Sequence, residues 1–297
     1  LASPHERRRP FGRSGRLKCG GPPVVWIEGR RDVLLLRDGL RLHADLLGER
    51  GRPAVCLVHS LGADMTMWAE QVPALLDAGF AVLRVELRGH GGSAAPPGPY
   101  AMHELAEDIA FVLRRLELRK VDYVGLSLGG MAGQALALDH PALLRSIVIC
   151  DALPESLPNA AEIWGPRIRA VRAAGSCEPI AQETIERWLT PAFQAAHPAR
   201  WDEILATIAA TEAEGYAGCA EAISDFSHVA RLPSLAVPAL VLCGEDDHAV
   251  PPAEGERIAR LVPDGRFVMV EGARHLPNVE QPAVFNRVLL EWLRARG

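Results

Sequence analysis

Five short, almost unbroken apolar runs set the frame of this chain: Ala54–His59, Ala81–Glu86, Val121–Leu126, Leu144–Cys150 and Ala239–Cys243. A strand with one wet face alternates apolar and polar residues, whereas a continuous run fits a strand buried on both faces. Strands of that kind belong to parallel sheets with helices packed over each side. The intervals supply the helices. Met102, Leu105, Ile109, Val112 and Leu116 recur at spacings of three and four, which makes one apolar stripe. Met131–His140, Glu254–Leu261 and Gln281–Arg294 read as further helices, and Arg266–Val270 as a further strand. Val33–Leu36 and Arg41–Leu47 read as two opening strands around a turn at Asp38-Gly39. The pattern predicts an α/β fold with a mainly parallel sheet flanked by helices.

The alternation stops near Asp151 and resumes at Ala239. Residues 152–232 between them carry helical patterns and few strand signals, so a helical cap inserted into the α/β core is expected there. The core then comprises residues 23–151 and 233–297. Residues 1–22 have no apolar core of their own, and Arg7, Arg8, Arg9, Arg13, Arg16 and Lys18 oppose only Glu6. They are expected to form a disordered basic leader, because the 7–15-residue apolar centre of a secretory signal is missing.

Composition narrows the function. The net charge is −5, and the leader's cations leave the remainder more acidic still. That balance argues against nucleic acid as a partner. No apolar run reaches the roughly 20 residues that span a bilayer, so no membrane partner is expected. Cys19, Cys56, Cys150, Cys177, Cys219 and Cys243 form no C-x-x-C pair, and three of them sit inside apolar runs. They read as core residues in a reducing compartment, the cytoplasm. No metal-ligand spacing of Cys or His occurs, so no structural or catalytic metal is expected.

The chemistry concentrates in Gly125-Leu126-Ser127-Leu128-Gly129, which matches G-x-S-x-G and lies between a strand and a helix. In that setting a sharp turn lifts the serine hydroxyl off the sheet, and small flanking residues are needed to make the turn. The Leu128 N–H, at the helix start, faces a developing oxyanion. A serine hydroxyl needs a base. Of ten histidines, His275 follows the last strand and precedes the last helix, where this architecture places its base. The acid is expected after strand Ala239–Cys243, where Glu245, Asp246 and Asp247 compete. Asp247 is preferred, as the fourth residue of G-x-x-D; the chain order Ser127, Asp247, His275 agrees. The other carboxylates are read as solvated or as capping the following turn. The second oxyanion donor is expected from His59-Ser60-Leu61-Gly62, with the Leu61 N–H as candidate. Ser60 is read as structural or pocket-lining, and His59 as an organiser of the loop.

The stretches His59–Asp64 through Met67-Trp68, Arg88–Ser93, Gly125–Gly130, Gly244–Pro251 and His275 through Val279-Glu280-Gln281-Pro282 resemble the α/β-hydrolase fold family. Within it they look most like 3-oxoadipate enol-lactonases. Trp188-Leu189-Thr190-Pro191-Ala192-Phe193 and Glu214-Gly215-Tyr216-Ala217 are similar to that subfamily's cap. The resemblance covers roughly residues 30–295. It implies cofactor-free hydrolysis of an enol-lactone in the catabolism of aromatic compounds. It also brings Trp68 to the pocket wall; Trp164 and Trp188 of the insertion are further pocket candidates. This chain departs from the subfamily at His59, commonly Asn, at Glu86, commonly Asp, and at Pro277, commonly Ser. A substrate carboxylate would want a cation, and Arg167, Arg169, Arg172 and Arg187 lie in the insertion. The expected partner is thus a small ester or lactone. A general carboxylesterase, a cofactor-free perhydrolase or haloperoxidase-like enzyme, and a triad-bearing ligand receptor are the alternatives. An aspartate-nucleophile dehalogenase is disfavoured, because position 127 is serine.

Overall fold

A computed structural model describes residues 25–27 and 30–296. The basic leader lies outside the described residues. Nine strands form one sheet: β1 (Val25–Ile27), β2 (Arg30–Arg37), β3 (Leu40–Leu47), β4 (Ala54–Val58), β5 (Ala81–Val85), β6 (Val121–Leu126), β7 (Leu144–Cys150), β8 (Ala239–Gly244) and β9 (Gly265–Val270). Their order across the sheet is β1-β2-β3-β5-β4-β6-β7-β8-β9. The first three pair antiparallel, and every pair from β5 to β9 is parallel. β1 was not foreseen from the apolar pattern, and β2 runs longer than its apolar centre. In β2 Val33 and Leu35 are buried while Leu34 and Leu36 face outward. One-sided burial of this kind suits the antiparallel margin of the sheet.

The central strands are buried on both faces, as their continuous apolar character requires. Ala54, Cys56 and Val58 of β4 enter one core, and Val55 and Leu57 enter the other. β6 divides in the same way, with Tyr123 on one side and Val124 and Leu126 on the other. Helices Met102–Arg115, Leu128–Asp139 and Pro252–Leu261 supply Leu105, Ile109, Met131 and Ile258 to the first core. Helices Gln71–Asp77 and Pro282–Arg294 supply Leu75, Phe285 and Leu289 to the second.

The helix after β6 begins at Leu128, three residues before the expected Met131. Gly129 and Gly130 lower the local helix propensity, but tertiary contact overrides it. A Cβ on Gly129 would run into the Val58 carbonyl, and one on Gly125 into the Gly129 carbonyl. The glycines therefore let the helix start against the sheet edge. Between β7 and β8 come five helices: Ala160–Ala174, Glu178–Trp188, Pro191–Ala196, Pro198–Ala210 and Ala213–Ser224. Val171, Ile180 and Tyr216 of this segment join the first core, and Ile185, Trp188 and Trp201 the second.

Candidate active site

Ser127 occupies the turn between β6 and its helix with φ 53° and ψ −113°. A non-glycine residue with positive φ carries strain of about 1–3 kcal/mol, and such strain gathers at functional positions. Here the surroundings hold it. The Ser127 N–H donates to the Cys150 carbonyl (2.8 Å), and the Ser127 carbonyl accepts the Met131 N–H (2.8 Å). The Tyr123 hydroxyl, deep in the core, donates to the Gly129 carbonyl at 2.6 Å.

His275 and Asp247 stand on the loops after β9 and β8, at the same carboxyl edge of the parallel strands as Ser127. His275 Nδ1–H donates to Asp247 Oδ2 at 2.8 Å, and both residues are buried. Asp247 Oδ1 accepts the N–H groups of Ala249 (2.7 Å) and Val250 (3.0 Å). Burial alone would raise the Asp247 carboxyl; the His275 charge and hydrogen bond and the two backbone N–H groups outweigh it and hold the carboxyl below its usual range. With Nδ1 engaged, the free lone pair of neutral His275 is on Nε2. Asp246 is instead exposed and meets Arg274 and His248, while Glu245 accepts the Gly272 N–H at the turn. The strand ends are tied in series. Ser127 binds Cys150, the next residue Asp151 accepts the Gly244 N–H at 2.8 Å, and Gly244 packs on the Arg274 carbonyl beside His275.

The 59–62 loop is fixed from behind by two histidines. His59 Nε2 accepts the Leu87 N–H (3.1 Å), so Nδ1 carries the proton it donates to the Ser60 carbonyl (2.7 Å). His90 repeats the arrangement: Nε2 accepts the Gly62 N–H (3.0 Å) and Nδ1 donates to the Arg88 carbonyl (3.1 Å). Their rings lie 5.0 Å apart. Burial holds both neutral, with His90 pushed down to about 3. With Gly62 N–H bonded to His90 and Ser60 N–H to Met67 Sδ, the Leu61 N–H has no protein acceptor among the described residues. The Leu128 N–H, first in its helix, has no intrahelical one. Ser60 Oγ is buried without a partner. In the sequence the 88–93 loop stands out only as one of the stretches that resemble the family, and the part played by His90 emerges from the fold.

The aromatic candidates separate. Trp188 lies tilted over His275 with ring centroids 6.0 Å apart. It also lines, with Gly62, Met67, Ile204 and Leu276, a small space of about 10 Å³. Trp68 is wholly buried against Phe285 and does not line that space, so its expected place on the pocket wall gives way to a core role. Trp164 is half-buried beneath the Arg167 guanidinium. Among the arginines, Arg172 is engaged by Glu214 and Glu221, and Arg169 lines an open groove of about 670 Å³ with Tyr100 and Glu221. Arg167 and Arg187 share the carboxylate of Glu183, at 2.7 and 3.9 Å.

Asp151, Asp247 and His275 each place one polar atom within 4.8 Å of the other two, the one such set of three or more acid, imidazole or thiol groups among the described residues. Within this set His275 Nδ1 and Asp247 Oδ2 are already bonded to each other. No helix among the described residues is long and apolar enough to cross a membrane.

The family described as alpha/beta hydrolase fold matches residues 53–282. The 3-oxoadipate enol-lactonase 2 of Acinetobacter baylyi (strain ATCC 33305 / BD413 / ADP1) is 32% identical over 87% of this chain and 95% of its own length. A hydrolase from Pseudomonas aeruginosa PA01 superposes with a TM-score of 0.84 at 36% identity, covering 88% of this chain and 98% of that one. The enol-lactonase from Burkholderia xenovorans LB400 superposes with a TM-score of 0.83 at 34% identity, over 86% of this chain and 98% of that one. A sheet of this order, a serine at the strained turn after β6 and matches that run nearly end to end agree: the chain belongs to the α/β-hydrolase fold family.

Proposed function

We propose that this hydrolase cleaves an ester or lactone through an acyl-enzyme on Ser127, with a 3-oxoadipate enol-lactone-type compound as its substrate. The observation that carries the reading is the buried Asp247–His275 hydrogen bond at the sheet edge that also bears the strained Ser127 turn. His275 Nε2 takes the Ser127 proton as Oγ attacks the carbonyl carbon. The Leu61 and Leu128 N–H groups receive the oxyanion, each such donor typically contributing about 3 kcal/mol. The tetrahedral carbon then expels its alkoxy or enolate oxygen, which His275 protonates. In a lactone that oxygen stays tethered to the acyl group. Water, deprotonated by His275, attacks the acyl-enzyme, and His275 then returns that proton to Ser127 Oγ as the acid leaves. An enolate is a better leaving group than an alkoxide, so lactone opening demands less of His275 as an acid.

Residues 152–232 act in this reading as the cap that shapes the acyl pocket. A Cβ on Gly62 would touch the rings of Tyr216 and Trp188, which brings the helical segment onto the oxyanion loop. An anionic substrate is supported by Arg187. Its guanidinium lies 3.9 Å from Glu183 and shares that carboxylate with Arg167. Burial and the Arg167 charge both lower the Arg187 pKa, the mark of a cation short of counter-charge.

The test follows the loss of 3-oxoadipate enol-lactone absorbance in wild type and Ser127→Ala. The expected kcat/KM is at least about 10⁴ M⁻¹s⁻¹, abolished by the substitution. Absent lactone turnover with fast, Ser127-dependent cleavage of aryl esters would leave a carboxylesterase and remove the lactone.

A further inference from the structure

The first residue after β7 is a carboxyl group that the proposed mechanism leaves unused. Asp151 is 0% exposed and adopts φ 45°, a left-handed conformation that a non-glycine residue holds at a cost. Its N–H donates to the Leu242 carbonyl (3.0 Å), and its Oδ1 accepts the Gly244 N–H (2.8 Å). Its Oδ2 is buried and receives no N–H or O–H donor. One oxygen of Asp151, one of Asp247 and a ring nitrogen of His275 all lie within 4.8 Å of one another. A buried carboxylate oxygen that receives no donor costs about 1–3 kcal/mol. Here it is kept beside the proposed acid and base.

We propose that Asp151 is a positioning residue of the hydrolytic site, a second carboxyl set against the Asp247–His275 pair that takes over as carboxylate partner of His275 when Asp247 is removed. The inference rests on the Ser127–His275–Asp247 reading and extends it. Two carboxylates this close in a dry pocket do not both stay ionised, so one holds the proton. Asp247 receives three donors, His275 Nδ1–H and two backbone N–H groups, and keeps the charge. Asp151 receives one and keeps the proton. Burial, then the Asp247 charge, pushes the Asp151 carboxyl well above the usual range; the hydrogen bond its proton makes to the Asp247 side chain and the Glu280 charge add to the push, and the Gly244 N–H opposes it. The other titratable groups facing it are His275 and the thiols of Cys150 and Cys243, both thiols pushed up by burial and so neutral. Removing Asp247 removes the charge that suppresses ionisation of Asp151. The freed carboxylate then lies within a side-chain adjustment, or one bridging water, of His275 Nδ1.

The test compares Asp247→Ala with Asp151→Asn/Asp247→Ala, alongside wild type, Asp151→Asn and Ser127→Ala, on one aryl ester across pH. Alanine at 247 is essential. Asparagine there would keep its oxygen on the Ala249 and Val250 N–H groups and turn its amide toward Nδ1, imposing the wrong histidine tautomer. Losing a triad acid outright costs about 10⁴-fold. Asp247→Ala is expected to lose only about 100-fold, with an acid limb in its pH profile that titrates Asp151. The double variant falls a further ~100-fold and lacks that limb. Asp151→Asn alone loses under about 10-fold, so the cost of the same substitution depends on residue 247, as coupled groups require. Equal rates and equal pH profiles for Asp247→Ala and the double variant, both folded by thermal melting, overturn the proposal. If Ser127→Ala retains full activity, the hydrolytic reading itself falls, and with it the role of Asp151.

Discussion

At the carboxyl edge of the sheet the loops are tied by buried polar contacts. His59 and His90 bracket the 59–62 loop, Asp151 binds Gly244, and Asp247 holds both His275 and the start of the following turn. The five helices between β7 and β8 are joined otherwise. Val171, Ile180, Ile185, Ile208 and Ala217 pack as apolar layers, and the charged pairs, such as Arg172 with Glu214 and Glu221, stand at the surface. The edge fixes where atoms point, whereas the helical segment fixes a volume. A reaction demands the first property. A volume needs only the second, because apolar layers tolerate repacking that a hydrogen-bonded turn does not.

Glycine substitutions separate the two regions most sharply. A Cβ on Gly125 would meet the Gly129 carbonyl, an atom of a helix that cannot rotate away. Gly125→Ala is expected to cost about 3 kcal/mol or more by overpacking and to remove activity with it. Gly175 ends helix Ala160–Ala174 with φ +70°, and nothing lies within 4 Å of its missing Cβ. Gly175→Ala should cost about 1 kcal/mol, from the left-handed conformation alone. Urea unfolding of both variants measures the contrast. Equal losses would mean that the edge relaxes as freely as the helix terminus does.

The pH dependence of stability offers a subtler separation. His43, beside the 88–93 loop, is raised to about 9 by its Glu86 hydrogen bond, against the opposing pull of burial, and by Asp32. Its contribution is fully present below the unfolded value of about 6.5 and is lost as pH climbs through about 9. His228, at the far end of the helical segment, is lowered to about 4 by burial and the Arg231 charge, and its Nδ1 lacks a partner. The unfolded chain protonates this histidine first, so stability falls as pH drops from about 6.5 toward about 4. Tm measured between pH 4 and 10 should decline on both sides. His43→Gln should flatten the alkaline side alone and His228→Phe should soften the acid side alone. A variant that moves both limbs together would show that the two regions unfold through shared electrostatics.

The same contrast explains what could be read from the sequence. The sheet was legible because strands buried on both faces leave continuous apolar runs, as in Ala54–Val58 and Val121–Leu126. Ser127 stood out because G-x-S-x-G sits between strand and helix, and Asp247 and His275 because each follows a recognisable strand. The helix start at Leu128 was misplaced, since Gly129 and Gly130 argue locally against helix and only tertiary neighbours, the Val58 carbonyl for the first and the Ala152 side chain for the second, explain them. Asp151 left no signal. It closes an apolar run, and its nearness to Asp247 arises from the pairing of β7 with β8. Trp68 was misread because likeness to a family says little about whether an indole faces a pocket or Phe285. The leader stays beyond the comparison, outside the described residues.

The smallest expected effect tests whether the helical segment is held by packing or by charge. Arg172 and Val171 are neighbours on helix Ala160–Ala174 and differ in almost everything else. Arg172 forks between Glu214 and Glu221 at 2.7 Å each, with its side chain 37% exposed. Val171 is 0% exposed in the core. Exposed ion pairs contribute about 0–1 kcal/mol, because water screens them and two long side chains must be ordered. Arg172→Gln should therefore cost less than about 1 kcal/mol, and 1 M salt should shrink the loss further. Val171→Ala should cost about 2 kcal/mol and should be indifferent to salt. If Arg172→Gln proved the more costly of the two, the charged pairs would be fixing geometry in the helical segment as hydrogen bonds do at the sheet edge, and the contrast between a region that points atoms and one that fills space would fail there.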